Sequence, residues 1–457
     1  MGRKIESTVQ ISQQNIEFGI LPNLSQFVVL TLLVFFVGMT VGMERSVVPV
    51  LAEEEFGVAS SSVILSFLIS FGFVKALLNL VGGRLSESWG RKPVLIVGWL
   101  IAVPIPLMII WAPNWWWIVA ANALMGVNQG LAWSMTVTAK MDLVGAKNRG
   151  LATGINEFAG YSGVAISALV TGYLAAVYGL RPAPFYFGLA TIIAALGISL
   201  IFTKETVHHA RLEPSLGTRQ DSADPYGTGN ESNPSVGEWA LSSGPTFWDV
   251  FKLTTWQDRS LFAASVAGML HKFTDALVWV SFPLLFRDRG LDVGQIGLII
   301  GVYGLTWGVL QLFTGPMTDR VGRKWPIVAG LLLCGAGVWL TLAASSIPMW
   351  MAVSAAIGLG MALLYPSLLS AVGDVAHPRW RGTSLGVFRM WRDSGYAFGA
   401  IFIGVVSDVL GFDYGFYLTG AAMFFSGGIV AVFMYETAPA RRKVRPGWED
   451  APRFHQA

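Results

Sequence analysis

Phe27-Val-Val-Leu-Thr-Leu-Leu-Val-Phe-Phe-Val-Gly-Met-Thr-Val-Gly-Met43 carries no charge. Comparable runs recur along the chain, among them Val94–Trp111 and Phe185–Phe202. A run near 20 residues crosses a hydrocarbon core of roughly 30 Å as an α-helix. Lipid offers nothing to hydrogen-bond a bare backbone, so spanning segments are helices or closed barrels. Barrel strands alternate polar and apolar residues, and these runs do not. The expected class is an all-α polytopic membrane protein.

Composition agrees. Of 457 residues, 53% are hydrophobic and 13% charged, against about 25% charged in soluble domains. The net charge of +3 is too small to suggest nucleic-acid binding. Cys334 is the sole cysteine, so no internal disulfide forms, and a buried inert thiol is expected. Residues 1–25 lack the order of a cleaved signal peptide, so the first helix is expected to act as a retained insertion signal.

Spans are expected near 26–51, 62–83, 93–112, 115–138, 150–177 and 183–203, then near 260–286, 295–317, 325–344, 348–372, 382–409 and 413–436. The domains follow: a tail (1–25), a six-helix bundle (26–203), a linker (204–259), a second bundle (260–436) and a tail (437–457). Asp221–Pro234 reads as flexible linker, and Phe247–Trp256 has aromatics beside charges, as in a helix on a membrane surface. Of 31 Lys and Arg, 23 fall in the tails and the loops of one side, 3 on the other side (Arg181, Arg287, Arg289) and 5 within spans. Basic loops stay inside, so both termini are expected to be cytoplasmic.

The chain repeats itself. Gly83-Arg-Leu-Ser-Glu-Ser-Trp-Gly-Arg-Lys92 follows the second span, and Gly315-Pro-Met-Thr-Asp-Arg-Val-Gly-Arg-Lys324 follows the eighth. Their offset is 315 − 83 = 232, and Arg149-Gly150 and Arg381-Gly382 share it. Two landmarks at one offset imply duplicated halves with a binding site between them near the midplane.

These loops resemble the signature of the major facilitator superfamily, Gly-x-Leu-x-Asp-Arg-x-Gly-Arg-Lys. The second copy fits with Asp319, Arg320, Gly322, Arg323 and Lys324; the first has Glu87 and Ser88 where Asp and Arg are usual. Arg149-Gly150 with Gly154, Gly160 and Gly163 is similar to the superfamily's fifth span. The resemblance implies twelve transmembrane helices in two pseudo-symmetric six-helix bundles and transport by alternating access. It makes Gly83, Glu87, Gly90, Arg91, Gly315, Asp319, Gly322 and Arg323 the gate motif. Physically, its glycines allow close helix approach and its basic residues suit an anionic lipid surface. Drug–proton antiporters commonly carry an arginine in the fourth span, four residues before a glycine; here Asn122 stands there, before Gly126.

Nine ionised groups fall within spans, away from their ends: Glu44, Arg45, Lys75, Glu157, Lys272, Asp275, Arg389, Arg392 and Asp393. Each costs about 2.5–3.5 kcal/mol at mid-membrane on insertion scales, so such groups mark functional sites by default. Arg389, Arg392, Asp393 and Tyr396 share one helix face by spacing, and Lys75, Glu157 and Tyr161 reach similar depths. In the fourth span Gln129 and Trp133 share a face with Asn122, with Asn128 beside it. Expected substrate ligands are Lys75, Asn128, Gln129, Trp133, Tyr161, Arg389, Arg392 and Tyr396. Expected proton carriers are Glu44, Glu157, Asp275 and Asp393. The arginine pair Arg389 and Arg392 is expected to hold a negative substrate group, with Glu157 or Asp393 neutralising it in the empty site. A structural ion network is the competing reading of the same residues.

No nucleotide-binding loop, metal-ligand cluster or cofactor motif stands in the sequence, and an enzyme is not expected. The leading reading is a monomeric secondary transporter of a small molecule, coupled to protons, leaning to efflux, embedded in lipid in a bacterial inner membrane. An uptake symporter for a small organic anion is the alternative, and a non-transporting sensor the minor one. The topology yields a first prediction: tags at residue 225 and at the C-terminus are both protected from protease in intact cells. Cleavage at either without permeabilisation contradicts it.

Overall fold

The computed structural model describes residues 17–144, 149–209, 246–376 and 381–438; at 83, 84, 87, 88, 149, 150, 319, 381 and 382 it describes the backbone alone. Twelve membrane-crossing segments follow in order: α1 (Leu24–Glu54), α2 (Ser61–Trp89), α3 (Arg91–Ile110), α4 (residues 115–144), α5 (Arg149–Tyr178), α6 (Ala183–Phe202), α7 (Arg259–Asp288), α8 (Val293–Val321), α9 (Lys324–Ala343), α10 (Ile347–Val375), α11 (Arg381–Leu410) and α12 (Phe412–Phe433). Eleven are long and apolar enough to span on their own. The fourth is divided by a π turn, Gln129–Trp133, between Trp115–Asn128 and Ser134–Val144. No strand occurs among the described residues. Most of the linker, including Asp221–Pro234, and the gate side chains of Glu87 and Asp319 lie outside what is described.

Small residues bring the helices together. A Cβ at Gly38 in α1 would fall 1.9 Å from the Gly160 carbonyl oxygen in α5, and one at Gly163 would fall 2.1 Å from that of Phe35. In lipid, backbone approach of this kind replaces the hydrophobic force as the source of helix packing. Each half stacks its six helices, and the halves meet where α2 lies on α11 and α5 on α8. α7 is buried on every side from His271 to Phe286. Phe247–Lys252 forms a short helix closed by a Thr246/Asp249 capping box, with Phe247, Trp248 and nearby Trp256 exposed.

The duplicated loops form matching clusters. Gly90 and Gly322 turn the chain with φ of 94° and 103°, where glycine alone is at ease. In the first half the Glu205 carboxylate accepts from the backbone N–H groups of Arg91 (2.9 Å), Lys92 (3.1 Å), Thr206 (2.9 Å) and Val207 (3.0 Å). The Arg91 side chain donates to Asp142 (2.8 Å) and to the Ser86 carbonyl (3.0 Å). In the second half Glu436 accepts from the N–H groups of Arg323 (2.8 Å), Lys324 (3.3 Å) and Ala438 (3.0 Å), and Arg323 donates to Asp374 (3.1 Å). Gly315 faces Pro366 of α10. These bonds stay within one half, joining the start of α3 or α9 to the ends of two neighbouring helices.

Burial opposes ionisation of Glu205, but the four N–H groups outweigh it and hold the carboxyl below its usual range. A group depressed on folding adds stability above its unfolded pKa and loses it as pH falls through the folded one. Glu205→Gln is therefore expected to cost about 1 kcal/mol at neutral pH. The gap to the parent protein should narrow below about pH 4. Thermal unfolding at both pH values checks this; a gap unchanged by pH contradicts it.

Candidate functional site

A small cavity lies between the halves, at mid-depth. Val41 and Arg45 of α1, Phe71 and Lys75 of α2, Gln129 and Trp133 of α4, Glu157, Tyr161 and Val164 of α5, and Arg392 and Tyr396 of α11 line it. The space open to a water's centre is about 20 Å³, enough for roughly one water. The π turn of α4 spans Gln129 to Trp133 and so carries both of that helix's lining residues. Such turns concentrate at functional sites.

Most of the expected ligands gather here: Lys75, Gln129, Trp133, Tyr161, Arg392 and Tyr396. Two do not. Arg389 is half-buried and outside the lining. Asn128 points the other way, donating to the Gly98 carbonyl of α3 at 3.0 Å. Residue spacing gives height along a helix reliably, but rotation about the axis is set by packing and, in α4, by the π turn.

The expected proton carriers divide into three kinds. Asp275, fully buried in α7, accepts from Arg45 of α1 (2.7 and 3.3 Å), Lys272 (3.1 Å), the Tyr303 hydroxyl (3.0 Å) and the Tyr396 hydroxyl. The Arg45 guanidinium also lies over the Trp279 ring, 4.8 Å from its centre. Asp393 accepts from Arg392 (2.7 Å) and from Asn79 of α2 (2.6 Å). Glu157 lines the cavity and accepts from Trp133 Nε1 (3.0 Å) and Asn156 Nδ2 (3.2 Å). Glu44 is fully buried, and neither carboxyl oxygen has a hydrogen-bond partner among the described residues. Asn122 of α4 approaches it without hydrogen-bond geometry, and its amide instead donates to the Ile118 carbonyl at 3.1 Å.

Aromatic rings fill the remaining walls. Tyr161 stacks on Trp307 of α8 at 3.7 Å between ring centres, and Trp133 stands edge-on to Tyr161 at 5.6 Å. Lys75 Nζ sits over three rings, those of Phe71 (5.4 Å), Trp133 (5.6 Å) and Tyr396 (5.6 Å). Lys140, counted with the loops in the sequence, belongs to α4. It is buried and donates to Asn156 Oδ1 at 3.0 Å. The helix runs to Val144, six residues past the expected end at 138.

Beyond the cavity, towards the face opposite the termini, the halves are tied together. The Asp408 carboxylate of α11 accepts from Ser61 N (2.7 Å), Ser62 N (3.1 Å) and the Ser60 hydroxyl (2.8 Å) at the start of α2. Glu54 pairs with Arg287. Arg45–Asp275 is the most deeply buried of these ties. Removing one partner of a buried pair costs about 3–5 kcal/mol, because the other charge stays behind. Asp275→Asn is therefore expected to lower thermal stability by an amount of that order, and adding Arg45→Gln should restore part of it. An unfolding midpoint unchanged by Asp275→Asn contradicts the assignment.

A family model described as Major Facilitator Superfamily matches residues 30–269 and 264–455. An uncharacterised MFS-type transporter of Salmonella typhimurium is 23% identical over 87% of this chain and 93% of its own. The multidrug resistance protein MdtG of Proteus mirabilis is 23% identical over 79% of this chain and 83% of its own. Among solved structures, a POT family transporter bound to a thioalcohol-conjugated peptide superposes with a TM-score of 0.67, at 13% identity over 89% of this chain and 95% of that one. The human organic anion transporter MFSD10 gives 0.62 at 18% identity, over 90% and 99%. At those identities the structural likeness is one of fold. With its duplicated halves, its signature loops and a match along almost its whole length, the chain belongs to the Major Facilitator Superfamily and is a membrane transporter.

Proposed function

We propose that the chain is a proton-coupled exporter of small molecules, working by alternating access from a bacterial inner membrane with both termini in the cytoplasm. The observation that carries the coupling is Glu44. An unpaired carboxylate buried away from water is costly enough that such groups neutralise instead. With the halves tied at the face opposite the termini, Glu44 has no ion pair among the described residues, and the Asn122 amide that approaches it makes no hydrogen bond of good geometry. It would hold a proton in this state and exchange it when that face parts and water enters. Asp275 and Asp393 are already engaged with arginines and would serve as structural partners. The cavity size supports alternation, since one water's room is far below the roughly 300–1,000 Å³ of a small-molecule site. The halves would have to separate to load. The name of MdtG, a multidrug resistance protein, supports the outward direction.

Purified protein in liposomes enclosing a pH-sensitive dye tests this. A panel of amphipathic compounds should show saturable flux with stoichiometric proton movement in the opposite sense. Glu44→Gln should abolish accumulation driven by a pH gradient while sparing exchange of compound for compound. Proton coupling that is intact in Glu44→Gln removes Glu44 from the mechanism; fast, poorly saturable flux would indicate a channel, and no flux a sensor.

A further inference from the structure

The charges around the cavity do not pair off. Arg45, Lys75, Arg392 and Glu157 line it, and Lys272, Asp275 and Asp393 are buried in contact with the lining. Asp275 faces Arg45 and Lys272, and Asp393 faces Arg392. Glu157 accepts two N–H bonds from neutral donors, both on Oε1. Among these cations Lys75 is the one with no ion pair among the described residues. Its side chain is 9% exposed, and no carboxylate or hydrogen-bond acceptor meets its ammonium among the described residues. Three aromatic faces are its contacts, and the carboxylates of Asp393 and Glu157 act on it from beyond ion-pair distance. A lysine has three N–H donors, and ring faces offer each less than an anionic oxygen would.

We propose that this site, once the halves separate to load, takes a small aromatic carboxylate, its negative group on Lys75 beside Arg392 and its ring among Phe71, Trp133 and Tyr396. An anion drawn to Lys75 lifts the ammonium off those rings, and the faces it leaves suit an apolar body. A cationic substrate would meet the opposite situation, with the aromatic faces already occupied by a cation and a second cation, Arg392, on the same wall. A zwitterion would bring a further ammonium beside Lys75 and Arg392, and of Glu157 it would find only Oε2 open, since both N–H bonds fall on Oε1. The inference rests on the transporter reading of this site and specifies its substrate class.

The full chain in detergent gives the test, with thermal unfolding read by a thiol-reactive dye at Cys334, the single cysteine and a buried one. The probes are 2-naphthoate, 2-naphthylmethylammonium and naphthylalanine. The expected result is a saturable rise in midpoint with 2-naphthoate alone. Lys75→Gln should weaken 2-naphthoate binding about tenfold or more, equivalent to about 1.4 kcal/mol, and Lys75→Arg should largely keep it. Stabilisation by the ammonium or the zwitterion in preference to the anion overturns the proposal, as does no effect of 2-naphthoate or equal binding by Lys75→Gln. Should Lys75→Gln fail to fold, the comparison of probes on the parent protein decides. Lys75-dependent binding without flux in liposomes would remove the transporter reading and leave the anion site. Proton-driven flux of a cation with no 2-naphthoate binding would do the reverse.

Discussion

A charge inside a hydrocarbon layer has to find a partner or lose its charge, and the interior of this transporter is arranged around that requirement. Asp275 receives two arginine N–H groups, one ammonium and two tyrosine hydroxyls. Its principal partner, Arg45, comes from the other half. The pair that satisfies the two charges is therefore also a joint between bundles, which on the proposed mechanism would part. Had both charges come from one half, they would have neutralised each other without any bearing on the halves' position. Asp393 follows the same logic in weaker form: its arginine lies in its own helix, but its second oxygen accepts from Asn79 across the interface.

The loops at the face carrying the termini work differently. Arg91 with Asp142 and Glu205, and Arg323 with Asp374 and Glu436, bind helix ends within a half. Such clusters join helix ends within each bundle at that face. Rigid bundles are what a rocking mechanism needs, because movement then concentrates at the interface rather than dissipating inside each half.

Much of this could be read from the sequence. Apolar runs set the spans, and the offset of 232 exposed the duplication. The same offset relates Asp142 to Asp374, and an offset of 231 relates Glu205 to Glu436, so the whole cluster repeats even though only its glycines and basic residues drew attention. The signal for the acids was present but lay far along the chain, at the ends of other helices. Depth was legible too: Lys75, Glu157 and Arg392 meet at the level their spacing implied. Azimuth was not. Arg389 and Arg392 are three residues apart, yet Arg392 alone lines the cavity, and the π turn in α4 carries Gln129 and Trp133 to it while Asn128 faces α3. Lys140 was hidden for a simpler reason. A lysine after an apolar run looks like a loop charge, and nothing local says that Asn156 waits for it in the next helix.

Tyr396 belongs to both the cavity and the joint. Its hydroxyl donates to Asp275 and accepts from Lys272 at 3.0 Å, while its ring lies under Lys75 and against Phe71 of the opposite half. On the proposed reading, an anion that draws Lys75 away removes a cation from one face of this ring, and a bulky body pressed between Phe71 and Tyr396 pushes the two halves apart there. Asp275 would then lose a donor as the space around Arg45 widens. The requirement that closes the molecule when empty, a partner for every buried charge, thereby becomes the means by which an entering charge loosens it. Glu44 stands in the same helix, one residue before Arg45, so on the same reading the proposed proton site lies beside the pair that loosens.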